Sequence, residues 1–294
     1  MGWNHSILPG DVRVNPGPGK IFKCRSATIP ARVRKARFSR MNKFWQLLFF
    51  KVKCRLKSEA STSYLNYGWW VVEPILHMAA FYFVFAVLMN GGTENFVVFL
   101  LCGLIPWLWF NKSVSNATAS IRGGYSIMMQ TRVPISLFPA EIVTQDLVKQ
   151  LLVFVLLLLF LFLYGNTPTV HWLALAPLIL VQLVLVLAVS FLVAMLEPFL
   201  PDLRYLVQTG LMLMMFGSGI FYSYDLILPE HRGMFFLNPM ANLIKNYREV
   251  LMYQHWPDWV ALANIFLFSI VVLGLCVLFL QKHRTTYARL VLET

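Results

Sequence analysis

Residues 139–196 read PAEIVTQDLVKQLLVFVLLLLFLFLYGNTPTVHWLALAPLILVQLVLVLAVSFLVAML. Two apolar runs, 139–164 and 172–196, flank a short turn that holds Gly165, Asn166 and Pro168. A helix rises about 1.5 Å per residue, so each run is long enough to cross a hydrocarbon layer of about 30 Å. The pair therefore reads as a transmembrane hairpin. Four further stretches of the same character lie at about 69–89, 96–118, 205–224 and 259–281. The expected fold class is an all-α polytopic membrane protein with six transmembrane helices.

Charge orients the spans. Fourteen of the 25 Lys and Arg residues, Arg13 to Lys57, precede the first span, which keeps the amino end in the cytoplasm. The basic stretch KHRTTYAR at 282–289 puts the carboxyl end on the same side, as an even number of spans requires. The expected location is a membrane of the inner, cytoplasmic type, crossed several times, with both termini cytoplasmic. At 294 residues, 58% hydrophobic and 13% charged, the chain is too apolar for a soluble domain and too short for a transporter of about twelve spans. A net charge of +12 in a soluble protein would suggest nucleic acid. Here the cations precede membrane spans, where anionic headgroups account for them, and no nucleic-acid partner is expected. Cys24, Cys54, Cys102 and Cys276 form no CxxC pair and imply neither a disulfide framework nor a zinc site.

The chain divides into four parts. Residues 1–40, with Pro9, Pro16, Pro18 and Pro30 among basic clusters, read as a disordered leader, and Met41 as a possible true start. The leader has no apolar core of signal-peptide length. Its GPGK, Gly17 to Lys20, is only a fragment of a phosphate loop, because Ile21 stands where a magnesium-holding Ser or Thr would be needed. Residues 41–60 form an interfacial helix, 61–285 the membrane domain, and 286–294 a cytoplasmic tail.

Within 41–57, Trp45, Leu48, Phe49, Val52 and Leu56 share one side of a helical wheel, and Lys43, Lys51, Lys53, Arg55 and Lys57 occupy the rest. Such a helix lies in the cytoplasmic interface, either as a topology anchor alone or as a receiver of an anionic lipid as well. The second span is apolar to Phe110 and then polar, with Asn111, Lys112, Ser113, Ser115, Asn116, Thr118 and Ser120. That half must face protein or water, because unpaired polar groups in hydrocarbon cost several kcal/mol each. Residues 119–138 return on the inner side as an elbow: a glycine pair, a short helix from Tyr125 to Arg132, then Pro134. The fifth span carries Met212, Met214, Met215, Gly217 and Gly219, with the glycines read as close-packing positions. After Pro239, Met240, Leu243, Ile244, Tyr247 and Leu251 recur at helical spacing. They mark a second amphipathic helix that re-enters the outer leaflet, read either as a tie between the fifth and sixth spans or as an external gate.

Ionisable groups near the spans are expected to be satisfied locally. Glu73 and His77 share a helical face. Glu141, Asp146 and Lys149 are neighbours on one helix; Asp146 and Lys149 are expected to neutralise each other or to face the dimer cavity, and Lys112 to pair with one of these acids.

The order of these segments carries a resemblance. The interfacial helix is followed by WWVVEPILHM, LLCGLIPWLWFNKSVSNATASI, QTRVPISLFPAEIV, LPDLRYLV, SGIFY and LNPMANLIKNYREVLM. Over about residues 41–285 this resembles the permease subunits of bacterial ABC transporters that export O-antigen, capsular polysaccharide or teichoic acid. One departure is visible: many relatives have an Arg-Asp pair where this chain has Pro201 and Asp202.

The resemblance implies a homodimer of six-helix permeases, bound to two copies of a cytoplasmic ATPase that carry the ATP and Mg. No cofactor is expected on this chain, and no enzymatic site. The substrate would be a polysaccharide on an undecaprenyl-pyrophosphate carrier. Arg122, Gly123, Tyr125, Met128 and Arg132 would couple to the ATPase, and Asn238, Pro239, Tyr247 and Arg248 would belong to a periplasmic gate. Aromatic faces hold sugar rings weakly and let them slide. Tyr82, Phe85, Trp107, Trp109, Phe110, Phe221 and Tyr222 are the candidate channel lining, set against the ordinary use of aromatics in packing and interface belts. Lys51, Lys53, Arg55 and Lys57 are the candidates for the pyrophosphate at the inner mouth, with Arg55 foremost. Two rival classes are a membrane-embedded transferase on lipid-linked sugars and an ion-coupled transporter. The first would need a DxD or clustered His and Asp, and the second repeated halves with broken helices; neither pattern is present.

Overall fold

The fold was obtained as a computed structural model that describes residues 40–61, 68–84, 95–130, 133–200, 202–283 and 287. The expectations for the leader, Phe85, Arg132, Pro201 and most of the tail lie outside these residues. The described residues form helices α1 (Arg40–Ser61), α2 (Trp69–Tyr82), α3 (Phe96–Thr118), α4 (Ser120–Gly123), α5 (Tyr125–Gln130), α6 (Leu137–Leu163), α7 (Leu175–Leu196), α8 (Leu203–Phe216), α9 (Pro229–Phe235), α10 (Pro239–Leu251) and α11 (Trp259–Lys282).

Among them, four helical segments are long and apolar enough to cross a membrane: Phe96–Thr118, Leu137–Leu163, Val170–Leu196 and Trp259–Lys282. The described residues are thus all-α, with four long apolar helices consistent with a polytopic membrane protein. The hairpin that decides the fold is α6–α7. Gly165 closes α6 at φ +100, where its N–H reaches Phe162 O at 3.2 Å and that of Asn166 reaches Leu161 O at 3.0 Å. This is a Schellman ending, which favours glycine because the backbone is left-handed.

α3 is the central helix, buried along its length from Val97 to Thr118 and packed against α6, α7, α8 and α10. α11 packs along α7 and turns Val260, Leu267, Phe268, Val271, Leu275 and Leu278 outward. Asp258 caps α11, accepting from the N–H groups of Val260 and Ala261, both at 3.1 Å. In hydrocarbon such contacts are held by close packing and interhelical hydrogen bonds rather than by release of water.

Two apolar clusters result. The larger joins α3, α6, α7 and α10. The smaller lies at the end of the bundle that carries α1 and the elbow, and gathers Leu48, Val52, Ile121, Phe138, Phe191, Leu280 and Tyr287. On α1 the expected apolar side is divided: Leu48 and Val52 are buried against α6, whereas Trp45 and Phe49 are exposed.

α8 differs from the span read at 205–224. It ends at Phe216 after 14 residues. Gly219 adopts φ +67, a left-handed conformation that turns the chain away from the helix axis, so this glycine serves a break rather than only a close approach. The stripe on α10 is buried in full, and it rests on α3 and α7 inside the bundle.

Candidate functional site

A groove of about 760 Å³ opens between α2, α3 and α6, with Glu59 of α1 at its edge. Helical spacing builds its walls. Trp69, Trp70, Glu73 and His77 come from one side of α2, Leu101, Ile105, Trp109, Lys112 and Asn116 from one side of α3, and Asp146, Lys149, Gln150 and Val153 from α6. The polar half of α3 therefore borders this groove, as the cost of placing it in lipid demands.

The charges are largely cross-linked. Lys112 Nζ lies 3.2 Å from Glu73 Oε1. Lys149 Nζ lies 2.6 Å from Glu59 Oε2, which also accepts from Gln145 Nε2 at 2.8 Å. Lys149 thus pairs with the end of α1, whereas sequence spacing had pointed to Asp146, its neighbour on the same helix; Asp146 instead accepts from Asn116 Nδ2 at 3.4 Å. Lys149 also sits 5.7 Å from the centre of the Trp70 ring. His77 Nδ1 is 2.9 Å from Glu73 O, so that helical pair meets through the backbone. Trp109 borders the groove but is only 2% exposed: it sits in the larger cluster, packed edge-on to Phe154, and its Nε1 has no hydrogen-bond partner among the described residues, so the accessible aromatic surface of the wall comes from Trp69 and Trp70.

Of the other expected lining residues, Tyr82 is exposed on α2, while Trp107 and Phe110 are enclosed in the larger cluster against each other. Phe221 and Tyr222 lie half-buried in the break after α8, where Tyr222 Oη donates to Phe216 O at 2.8 Å.

A second cavity, about 350 Å³, separates α1 from the elbow and is bordered by Lys51, Arg55, Ser120, Gly123, Gly124, Phe138 and Glu141. Lys51 Nζ is 2.6 Å from Glu141 Oε2 and 4.6 Å over the Phe138 ring, and Arg55 Nη1 is 3.8 Å from Glu141 Oε1. Lys53 and Lys57 are exposed. One carboxylate therefore holds two of the four cations in place, which leaves an excess of positive charge along α1.

The elbow, α4 and α5, is fixed to α7 through Arg122, whose Nε lies 3.4 Å from Glu197 Oε1. Burial pushes the Glu197 carboxyl above its ordinary value, opposed by Arg122 and Arg204. Met128 packs against the smaller cluster.

At the other end, Asn238 caps α10 by accepting from Met240 N at 3.0 Å, and its Nδ2 donates to Gly217 O and Ser218 Oγ. Pro239 occupies the first turn of α10. Tyr247 is fully buried. Its hydroxyl donates to Gln182 Oε1 at 2.8 Å, and Gln182 Nε2 donates to Pro106 O at 2.8 Å, so α10, α7 and α3 are tied in series. Arg248 is buried beside it.

No protein-family model matches the chain. Among curated proteins, it is 33% identical over 198 residues to the O-antigen export system permease protein RfbA of Klebsiella pneumoniae, a match that covers 67% of this chain and 76% of that protein. The chain belongs to the polysaccharide-export permease family. The RfbA permease of Myxococcus xanthus is 29% identical over 244 residues, 82% of this chain and 94% of its own length. The polysialic acid transport protein KpsM of Escherichia coli is 22% identical over 213 residues, 71% and 82% of the two chains. As a member of this family the chain is a transport permease of the membrane.

Sequence reasoning missed Glu59, Trp69, Trp70 and Gln150 as parts of the permease groove, and Glu197 as the partner of Arg122. A lone acid at the end of a basic helix and a tryptophan pair at a span boundary are the local signals of Glu59, Trp69 and Trp70, and neither by itself points to a groove.

Proposed function

We propose that this permease forms the membrane conduit of an exporter that carries a lipid-linked polysaccharide outward across a bacterial inner membrane, driven by ATP hydrolysis on a separate subunit. Two copies of the chain enclose the path and bind two ATPase subunits through the elbow that contains Arg122, Gly123, Tyr125, Met128 and Arg132. The carrier pyrophosphate is received by the cations of α1, with Arg55 the most accessible of those beside the elbow cavity. Asn238, Pro239, Tyr247 and Arg248 belong to the outer gate.

The observation that carries this reading is the α2–α3–α6 groove of a family member. It offers tryptophan faces for sugar rings, together with amides, a hydroxyl and paired charges for hydroxyl edges. Its lysines are already engaged with carboxylates, so the wall holds a polymer weakly enough to let it pass.

The test is deletion of the gene in its host, with complementation by wild type, Trp69→Ala or Trp70→Ala, and blotting of surface and internal polysaccharide. Loss of surface glycan with polymer retained on its lipid carrier, restored by wild type and only partly by the tryptophan variants at equal membrane levels, is expected. Absence of any polymer would overturn export in favour of a transferase.

A further inference from the structure

Between Phe216 and Tyr224 the backbone is not helical, yet Gly219 and Ile220 lie against the core, and the Ile220 side chain is fully buried. Carbonyls outside a helix, enclosed in a membrane bundle, require donors from elsewhere in the protein. One side chain supplies them. Arg248 Nη1 donates to Gly219 O at 2.8 Å, Nη2 to Ile220 O at 2.8 Å, and Nε to Phe99 O at 3.2 Å. Its guanidinium carbon stands 3.4 Å from the centre of the Phe99 ring. An arginine offers this fork of fixed donors; a lysine offers a single point.

The groove that admits Arg248 is shaped by Gly103 on α3. A Cβ there would stand 2.8 Å from Arg248 Nη2 and 3.1 Å from Ile244 Cγ2. Three parts of the chain thus meet on one cation: the start of α3, the interior face of α10 and the break after α8.

We propose that Arg248 is the positioning residue that latches the broken segment after α8 shut, so that a shift of α10 against α3 releases that segment. The inference rests on the reading of the α8–α10 region as the outer gate, and deepens it. Opening requires the two carbonyls at 219 and 220 to lose their donors together, which makes the latch two-state rather than graded.

The experiment uses the full chain assembled with its ATPase in membrane vesicles. Cys24, Cys54, Cys102 and Cys276 are replaced by alanine, and Ile220→Cys is the reporter, because its carbonyl stays available. Labelling by a membrane-impermeant maleimide from the outer side is timed at rest and during ATP turnover. With Arg248 present, slow labelling at rest and faster labelling during turnover are expected. Arg248→Met should raise the resting rate by about tenfold or more, the scale of one lost charge-assisted hydrogen bond. Turnover should then add nothing, and Arg248→Lys should fall between. Gly103→Ala keeps every donor but displaces the guanidinium, and should reproduce the fast resting rate. Resting rates unchanged in both Arg248→Met and Gly103→Ala, with normal insertion and ATPase copurification, would overturn the latch. If Arg248→Met does not insert, Gly103→Ala decides in the same way. Labelling that rises in the variants yet never responds to ATP in the parent would preserve the latch and refute the gate reading.

Discussion

Replacing Tyr247 by phenylalanine probes how strongly one hydrogen bond ties α10 to α7 in the resting structure. The substitution removes one hydroxyl and leaves the ring stacked on Phe154 at 5.7 Å and 19°. The lost bond, 2.8 Å long and fully enclosed, leaves Gln182 Oε1 with no donor. An orphaned acceptor in a protein interior costs about 1–3 kcal/mol, while hydrogen bonds between helices in membranes average about 0.6 kcal/mol and reach about 1.7. A loss of about 1–1.5 kcal/mol follows, close to a tenfold fall in the folding equilibrium. Gln182→Leu orphans the tyrosine hydroxyl and should cost a similar amount. The double variant leaves neither group unpaired, so its loss should be smaller than the sum of the two by about 1 kcal/mol. Unfolding of the purified permease in mixed micelles by increasing dodecyl sulfate, followed by circular dichroism, measures all four corners of the cycle. Additivity within about 0.3 kcal/mol would refute the claim that this bond ties α10 to α7.

The glycine pair of the elbow gives an opposed pair of outcomes. A Cβ on Gly124 would collide with the Phe138 ring, whereas one on Gly123 would meet nothing within 4 Å. Gly124→Ala should destabilise by about 1–3 kcal/mol and reduce export, and Gly123→Ala should be neutral or slightly stabilising; melting temperatures in the reverse order would refute the packing of α4 on α6. Glu197 gives a pH dependence. Its carboxyl is raised above 4.5, so the folded protein holds that proton more tightly than the unfolded chain and loses stability as pH rises from 4.5 through the raised value. Wild type should therefore lose ground to Glu197→Gln over that interval in melting scans, and a gain instead would show that Arg122 and Arg204 outweigh burial.

Four of the six apolar runs were legible as spans because each is long enough to cross the hydrocarbon, a constraint that acts on composition alone, whereas the run at 205–224 is interrupted where α8 ends at Phe216. The α10 helix was equally plain from the spacing of Met240, Leu243, Ile244, Tyr247 and Leu251, but its place was not: the stripe was expected to face the outer leaflet, whereas all five side chains are buried against protein. What periodicity could not give was Arg248, adjacent to that stripe and buried with it, because a charge satisfied by distant backbone carbonyls leaves no mark in its own neighbourhood. The partners of Lys149 and Arg122 were hidden for the same reason, since Glu59 and Glu197 approach only through tertiary packing. The break at Gly219 was visible as composition but not as conformation; a glycine in an apolar run serves close approach or a left-handed turn, and only the backbone distinguishes them.

The brevity of α8 has a consequence for the surrounding lipid. Its 14 residues extend about 21 Å, some two thirds of an average hydrocarbon layer. Leu206, Met212, Leu213 and Phe216 lie exposed along it. Acyl chains that meet this short apolar flank must compress toward it, at a fraction of a kcal/mol per Å of mismatch. Where this flank meets lipid and not a second copy of the chain, the bilayer must thin beside α8, and longer acyl chains would raise the elastic load on that corner of the protein. Export by the reconstituted permease should then slow as the acyl chains of the vesicles lengthen, and an unchanged rate would show that α8 is covered by protein.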